Sequence, residues 1–162
     1  MDLPERKKNR MSGYDYSLCG AYFVTICVKN KEQLLWRNAE TIVRVEEIIL
    51  TDYGRIVEKY INEINLCYSC VSVSKYVIMP DHIHLIVCIS PSVEQYENGR
   101  LVAAPTLSNV IGQMKRAVSK EIGFSIWQKT FYDHIIRDEK DYMEVCKYID
   151  ENPMKYICSC NL

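Results

Sequence analysis

The stretch Val77-Ile-Met-Pro-Asp-His-Ile-His-Leu-Ile-Val87 decides the fold that we predict for this chain. Met79-Pro80-Asp81 is a turn signal between two apolar runs, so the stretch predicts two strands joined by a tight turn. Side chains alternate between the two faces of a strand, so His82 and His84 share one face while Ile83 points to the buried side. Two such imidazoles are a natural pair of metal ligands. The alternative is that they are two ordinary histidines on a half-polar strand. The chain has only three histidines, and finding two of them here favours the metal site.

The length and composition indicate one ordinary globular domain. The 162 residues are 48% hydrophobic and 25% charged, and we expect a single domain over 1–162 with a polar N-terminal arm over 1–19 and a long loop over 91–106. No run reaches the roughly 20 apolar residues of a membrane span, and the charged N-terminus lacks a signal peptide's apolar segment. We therefore expect a cytoplasmic protein with no membrane partner.

The eight cysteines are numerous enough to need an explanation. Cys67-x-x-Cys70 and Cys158-x-Cys160 have spacings found in zinc sites and redox pairs. In a protein without a secretory signal, disulfides are not expected. We interpret the cysteines as small buried hydrophobic residues or surface thiols.

The pattern along the chain predicts the element order β-α-β-β-α-β followed by a helix. This is the α+β, ferredoxin-like plan, a four-stranded antiparallel sheet with helices on one face, in which the first and third strands are central. The final helix is predicted to end near Asn152-Pro153, because proline cannot continue a helix. The predicted strands span 20–29, 71–79, 82–90 and 126–137, and the predicted helices span 55–65, Thr106 or Ser108 to about Glu121, and Asp138 to about Asn152.

The final helix supplies candidates for the rest of a reactive site. Tyr148 and Asn152 are four residues apart and therefore share one face of the helix. The Asn152 amide would complete a set of two nitrogens and one oxygen around a metal ion, and Tyr148 would attack a phosphorus that the ion polarises. The ordinary alternative is that Tyr148 is one of twelve tyrosines and that Asn-Pro marks a helix end.

Three motifs in order resemble the REP-associated tyrosine transposases, which are single-tyrosine transposases with a His-hydrophobe-His site. They are Met79-Pro-Asp-His-Ile-His-Leu-Ile86, Trp127-Gln-Lys-Thr-Phe-Tyr-Asp-His134-x-x-Arg137 and Tyr148-Ile-x-x-Asn-Pro153, and Arg6, Arg10, Tyr14 and Tyr16 at the N-terminus add to the likeness.

The resemblance implies an activity and a set of ligands. His82, His84 and Asn152 would bind Mg²⁺ or Mn²⁺, and Tyr148 would cut single-stranded DNA that forms hairpins. The products would be a 5′-phosphotyrosine link and a free 3′-OH, which later attacks the link to complete strand transfer. Because imidazole ligands suit Mn²⁺ better than Mg²⁺, we expect manganese to support activity at least as well.

The remaining candidates would contact DNA or accept the proton of the tyrosine. Because the net charge is only −1, DNA binding would depend on local basic clusters. Asp150, Glu151 and His134 are alternative bases, and His134 is also a candidate for a structural or DNA contact. Arg137 would pair with an acid or a phosphate. The basic clusters are Arg6, Lys7, Lys8 and Arg10 in the N-terminal arm, and Lys115 and Arg116 with Lys120 in a helix.

Three other functions are compatible with the same residues. A plasmid relaxase or rolling-circle initiator would use the same chemistry, and a domesticated DNA-binding protein would keep the fold without transposing. An RNA-binding ferredoxin-like module would stack bases on sheet aromatics such as Tyr22 and Phe23. The sequence leaves open whether the protein is a monomer or a homodimer.

Overall fold

The computed structural model describes residues 19–91, 95–97, 100–102 and 105–160. The main sheet has the order β2-β3-β1-β6 with every neighbouring pair antiparallel. The predicted ferredoxin-like plan is therefore confirmed, with the first and third strands in the centre. The elements are β1 (Gly20–Cys27), α1 (Asp52–Cys67), β2 (Val71–Ile78), β3 (His82–Ile89), β4 (Gln95–Glu97), β5 (Arg100–Val102), α2 (Leu107–Ile122), β6 (Tyr132–Ile136) and α3 (Glu139–Cys160), with 3-10 turns at Lys29–Lys31 and Val45–Glu47.

The β2–β3 hairpin forms as the opening stretch predicts. The backbone N–H of Met79 donates to the carbonyl of His82 at 2.8 Å and closes the turn. Alternation along β3 then buries Ile83 and Leu85 completely on one face and places His82 and His84 on the other. In the register with β1, His84 lies directly opposite Thr25.

Helices cover both faces of the sheet. Helices α1 and α2 pack on the face that carries Ile83 and Leu85, where the main core lies. Helix α3 packs on the opposite face, through a small separate cluster of Ile86, Val145 and Ile149. The third helix is thus brought onto the face of the sheet that carries the histidines.

Helix α1 begins earlier than predicted, at Asp52 instead of Arg55. The Thr51 hydroxyl accepts a hydrogen bond from the N–H of Gly54 at 3.0 Å, which is a normal N-terminal cap. Gly54 lies within the first turn and does not interrupt the helix. A Cβ atom there would lie 2.4 Å from the carbonyl oxygen of Leu35, so the close packing of the two backbones requires glycine.

The prediction that the last helix ends at Asn152-Pro153 is wrong, because α3 continues to Cys160. Pro153 lies in a buried stripe at four-residue spacing that begins with Val145 and Ile149 and ends with Ile157. The helix loses one backbone hydrogen bond at the proline. Burial of the apolar stripe on both sides of Pro153 offsets that loss and keeps the helix continuous.

Two other boundaries differ from the prediction, and one region lies outside the described residues. The strand predicted over 126–137 is confined to Tyr132–Ile136, and before it only an isolated bridge joins Trp127 to Val28. The segment predicted as a loop over 91–106 contains the short antiparallel pair β4–β5. The N-terminal arm lies outside the described residues up to position 18. None of the helices in the described ranges has the length and apolar character needed to cross a bilayer.

Candidate active site

The two histidines of β3 face each other across a short gap. The Nε2 atoms of His82 and His84 are 3.0 Å apart. Nδ1 of His82 contacts Oδ1 of Asp81 at 2.5 Å, and Nδ1 of His84 contacts Oγ1 of Thr25 at 2.8 Å. Histidines that bind a metal through one ring nitrogen are commonly oriented by a hydrogen bond between the other nitrogen and an oxygen. Both Nε2 atoms are thereby directed toward one point.

The surroundings of the pair set its charge. Burial, together with the neighbouring His82, lowers the pKa of His84 to about 3, so this imidazole is neutral at physiological pH. The hydrogen bond from His82 lowers the pKa of the Asp81 carboxyl, which therefore stays ionised. A neutral imidazole, which keeps a lone pair free, is what a cation requires of a histidine ligand.

The geometry of these residues fits a divalent ion. Two ligands at right angles on an octahedral ion, each about 2.1 Å from it, are roughly 3.0 Å apart, and the Nε2 atoms show this separation. Within the described ranges, no three His, Cys, Asp or Glu side chains converge, so a third protein ligand has to be of another type. Asn152, the predicted third ligand, is of another type: its Nδ2 atom is buried without a hydrogen-bond partner, and its amide presents either its oxygen or its nitrogen on rotation.

Tyr148 lies on α3 directly beside the histidine pair. Its ring centroid is 5.3 Å from that of His84 and 5.8 Å from that of Phe23, both in edge-on contact. Phe23 in turn stacks on His84 with the centroids 5.2 Å apart. Tyr148 is 44% exposed, and its hydroxyl has no hydrogen-bond partner among the residues that the structure describes. A nucleic acid can therefore reach it from solvent.

The three candidate bases are all engaged elsewhere. Asp150 pairs with Lys75 of β2 at 2.8 Å. Glu151 pairs with Lys155 at 2.8 Å, and this contact lowers the pKa of Glu151. Nε2 of His134, on the edge strand β6, donates to the carboxylate of Asp141 at 2.9 Å, which agrees with the structural alternative for this residue.

The residues that were predicted to contact DNA have different environments in the structure. Lys115 donates to the backbone carbonyls of Gln128 and Lys129 at 2.7 and 3.2 Å, which is a structural role. Arg116 is exposed and its guanidinium makes no ion pair in the described part of the chain. The backbone N–H of Arg137 donates to Asp141 at 3.2 Å. Arg6, Lys7, Lys8 and Arg10 lie outside the described residues.

Sequence reasoning missed the partners that orient the histidines. Asp81 was visible only as a turn residue, although its position next to His82 is a usable signal. Thr25 could not be found, because it is 59 residues from His84 and meets it only through strand pairing.

Other features bear on the alternatives. Tyr22 is fully buried and Phe23 is covered by Tyr148, so neither offers an open surface for stacking RNA bases. All eight cysteines are free, and none joins a metal-binding group within the described residues. Four of the cysteines are exposed and four are partly buried, so the interpretation as surface thiols agrees with the structure, whereas none of them is a fully buried hydrophobic residue.

Comparison with known proteins finds relatives of this chain and a solved structure with the same fold. No protein-family model matches the chain. A Haemophilus influenzae protein described only as uncharacterized is 32% identical, over 94% of this chain and 90% of its own length. A second H. influenzae protein, provisionally named a REP-associated tyrosine transposase, is 29% identical over 90% of this chain and 78% of its own.

A solved structure, that of a REP-associated tyrosine transposase bound to a REP hairpin, has the same fold. It matches with a TM-score of 0.64 and 24% identity, over 90% of this chain and 74% of that one. The fold and the relatives together indicate a transposase. The named relatives and this solved structure are REP-associated tyrosine transposases, which confirms the resemblance stated above.

Proposed function

We propose that this protein cuts and rejoins single-stranded DNA of hairpin-forming repeats, with Tyr148 as the nucleophile. The observation that carries the proposal is the contact between Tyr148 and His84, whose ring centroids are 5.3 Å apart. It brings an exposed tyrosine ring next to the imidazole of His84, whose Nε2 lies 3.0 Å from that of His82. The hairpin substrate is proposed from the related structure, whose protein is bound to a REP hairpin.

The protein groups divide the work between them. His82, His84 and Asn152 would hold Mg²⁺ or Mn²⁺. The ion, when bound, would polarise a phosphate oxygen and stabilise the charge that develops there. Thr25 and Asp81 orient the two imidazoles through their Nδ1 atoms. The Phe23 ring packs against the rings of both His84 and Tyr148 and holds them next to each other.

The proposed reaction conserves the number of phosphoester bonds. The Tyr148 oxygen forms a bond to phosphorus as the bond from phosphorus to the 3′ oxygen breaks, and the tyrosine proton is lost as the leaving oxygen becomes a 3′-OH. The 5′-phosphotyrosine link is then attacked by a 3′-OH, which releases the tyrosine with its proton restored. No external energy source is needed, because each step exchanges one phosphoester for another.

Covalent capture on labelled DNA tests this proposal. The chain is incubated with single-stranded hairpin oligonucleotides and Mn²⁺, and denaturation-resistant protein–DNA products are counted. We expect a product that is lost in Tyr148→Phe, in His82→Ala and in the presence of a chelator. Tyr132→Phe is the matched control, since Tyr132 is also exposed and lies opposite Thr25 on the same sheet face.

Two results would contradict the proposal. A product that persists in Tyr148→Phe would show that another tyrosine is the nucleophile. Tight DNA binding with no covalent product on any oligonucleotide would favour a DNA-binding protein that keeps the fold without the chemistry.

A further inference from the structure

A basic cavity of about 480 Å³ lies on the other side of the sheet from Tyr148, between α2 and the segment that leads into β6. Lys115, Arg116 and Lys129 contribute three positive charges to its lining, and Trp127 and Phe131 contribute aromatic rings. No carboxylate is among the described residues that line it. For a chain of net charge −1, this is a marked local excess of positive charge, which attracts anions.

The three cations of the cavity are not equivalent. Lys115 is held by two backbone carbonyls, and burial lowers the pKa of its amine. Arg116 and Lys129 are exposed, and their side chains make no hydrogen bond or ion pair in the described part of the chain. Both are therefore available to a ligand. Gly112 lies beside Arg116 and leaves room there, since a Cβ at this position would be 3.4 Å from the arginine Nη1.

An unpaired donor also lies in the lining. Trp127 is only 2% exposed, and its Nε1 atom is buried without a hydrogen-bond partner. Buried donors of this kind are rare in native structures and point to a missing acceptor. An acceptor-rich ligand such as a nucleotide would supply one.

The cavity is joined to the candidate active site through the backbone. The N–H of Gln128 donates to the carbonyl of Cys27 at 2.9 Å, and Cys27 lies opposite His82 in the β1–β3 pair. Phe131 belongs to the core on the cavity side, whereas the next residue, Tyr132, lies opposite Thr25 on the histidine side. A strand that passes the end of the sheet at this segment meets both sites.

We propose that this cavity binds one unpaired nucleotide of the DNA substrate, with Arg116 and Lys129 contacting its phosphates. The volume is that of a small-ligand pocket, so a duplex cannot enter it whereas a single nucleotide can. The inference rests on the proposed function, because it assumes that DNA is the ligand. The inference places binding of the unpaired strand on the face of the sheet opposite Tyr148.

Equilibrium binding of uncut DNA tests the cavity separately from cleavage. All proteins carry Tyr148→Phe, no metal is added, and the probes are a labelled unpaired oligonucleotide and a blunt hairpin. Losing one phosphate contact lowers the slope of log K against log salt by about 0.7, which is roughly a fivefold loss of affinity at 0.1 M salt. We expect this loss in Arg116→Gln and in Lys129→Gln for the unpaired probe only. Lys120→Gln, on the same helix but outside the lining, should change neither quantity.

A steric variant tests whether the DNA binds in the cavity or on the surface around it. Gly112→Leu fills the space beside Arg116 without changing charge, and it should also weaken binding of the unpaired probe at least fivefold while thermal melting shows a folded protein. Normal binding in Gly112→Leu would overturn the inference, as would equal losses in Arg116→Gln and Lys120→Gln, or equal losses on both probes. If these variants behave as expected while protein that retains Tyr148 forms no covalent product, the result supports nucleotide binding in the cavity and contradicts the proposed cleavage.

Discussion

The Nε2 atoms of His82 and His84 lie 3.0 Å apart, and each Nδ1 atom contacts an oxygen. The carboxylate of Asp81 only accepts, so Nδ1 of His82 donates to it, whereas the Thr25 hydroxyl can accept from Nδ1 of His84 or donate to it. When Thr25 accepts, both Nε2 lone pairs face the gap, and they repel each other unless a proton or a cation lies between them. Asp81 and Thr25 therefore orient both imidazoles of the proposed cation site.

Thr25→Val should weaken metal binding without unfolding the protein. The change removes the oxygen that orients His84, and loss of such a partner typically lowers metal affinity about 10- to 100-fold. Titration of the purified chain with Mn²⁺, followed by calorimetry, measures the effect. Thr25→Ser keeps the hydroxyl and should bind as the unmodified chain does. Equal affinity in Thr25→Val would show that strand pairing alone orients the ring.

Lys115→Met should destabilise the fold, unlike the neighbouring Arg116→Gln. The lysine amine satisfies the carbonyls of Gln128 and Lys129, and leaving partly buried acceptors unpaired costs about 1–3 kcal/mol. Urea unfolding of both variants measures the difference. If both have the stability of the unmodified chain, the carbonyls find other partners and the structural role of Lys115 is wrong.

The contribution of Asp141 to stability should disappear in acid. Its hydrogen bond with His134 lowers the pKa of the carboxyl below the ordinary value of 3.8, so the folded state favours the ionised form. The contribution is present above pH 3.8 and is lost as the pH falls through the lower, folded-state pKa. Asp141→Asn should therefore be less stable than the unmodified chain at pH 6, and the gap should close as pH falls below about 4. Urea unfolding across this range tests the sign, and a gap that widens in acid contradicts it.

Ile149→Ala should loosen α3 more than the rest of the protein. Ile149 belongs to the small cluster that attaches α3 to the sheet, and removing such a buried side chain costs about 2–5 kcal/mol. Because the cluster is separate from the main core, the helix should open locally. Hydrogen exchange should then show lost protection in α3 with β1 and β3 retained. Ile111→Ala, in the main core, is the control and should lower protection throughout.

Several features of the fold follow from local patterns and were predicted correctly. The turn at Met79-Pro80-Asp81 and the alternation of β3 require only a few adjacent residues, and the structure has both. The Thr106 cap of α2 follows from its hydroxyl and the apolar periodicity after it. The predicted boundaries of α3 and β6 were wrong. Burial of Pro153 and Ile157 decides where α3 ends, and pairing with β1 decides the extent of β6.

The sequence by itself determined that His82 and His84 share one face of a strand, and that Tyr148 and Asn152 share one face of a helix. Backbone geometry repeats every two residues in a strand and about every 3.6 in a helix, so each pair is set by its own short segment. Only the tertiary structure decided that α3 covers the histidine face, that Thr25 reaches His84, and that Lys115 is internal while Arg116 is free. These relationships join residues far apart in the chain, and they depend on how apolar faces pack and which polar groups find partners.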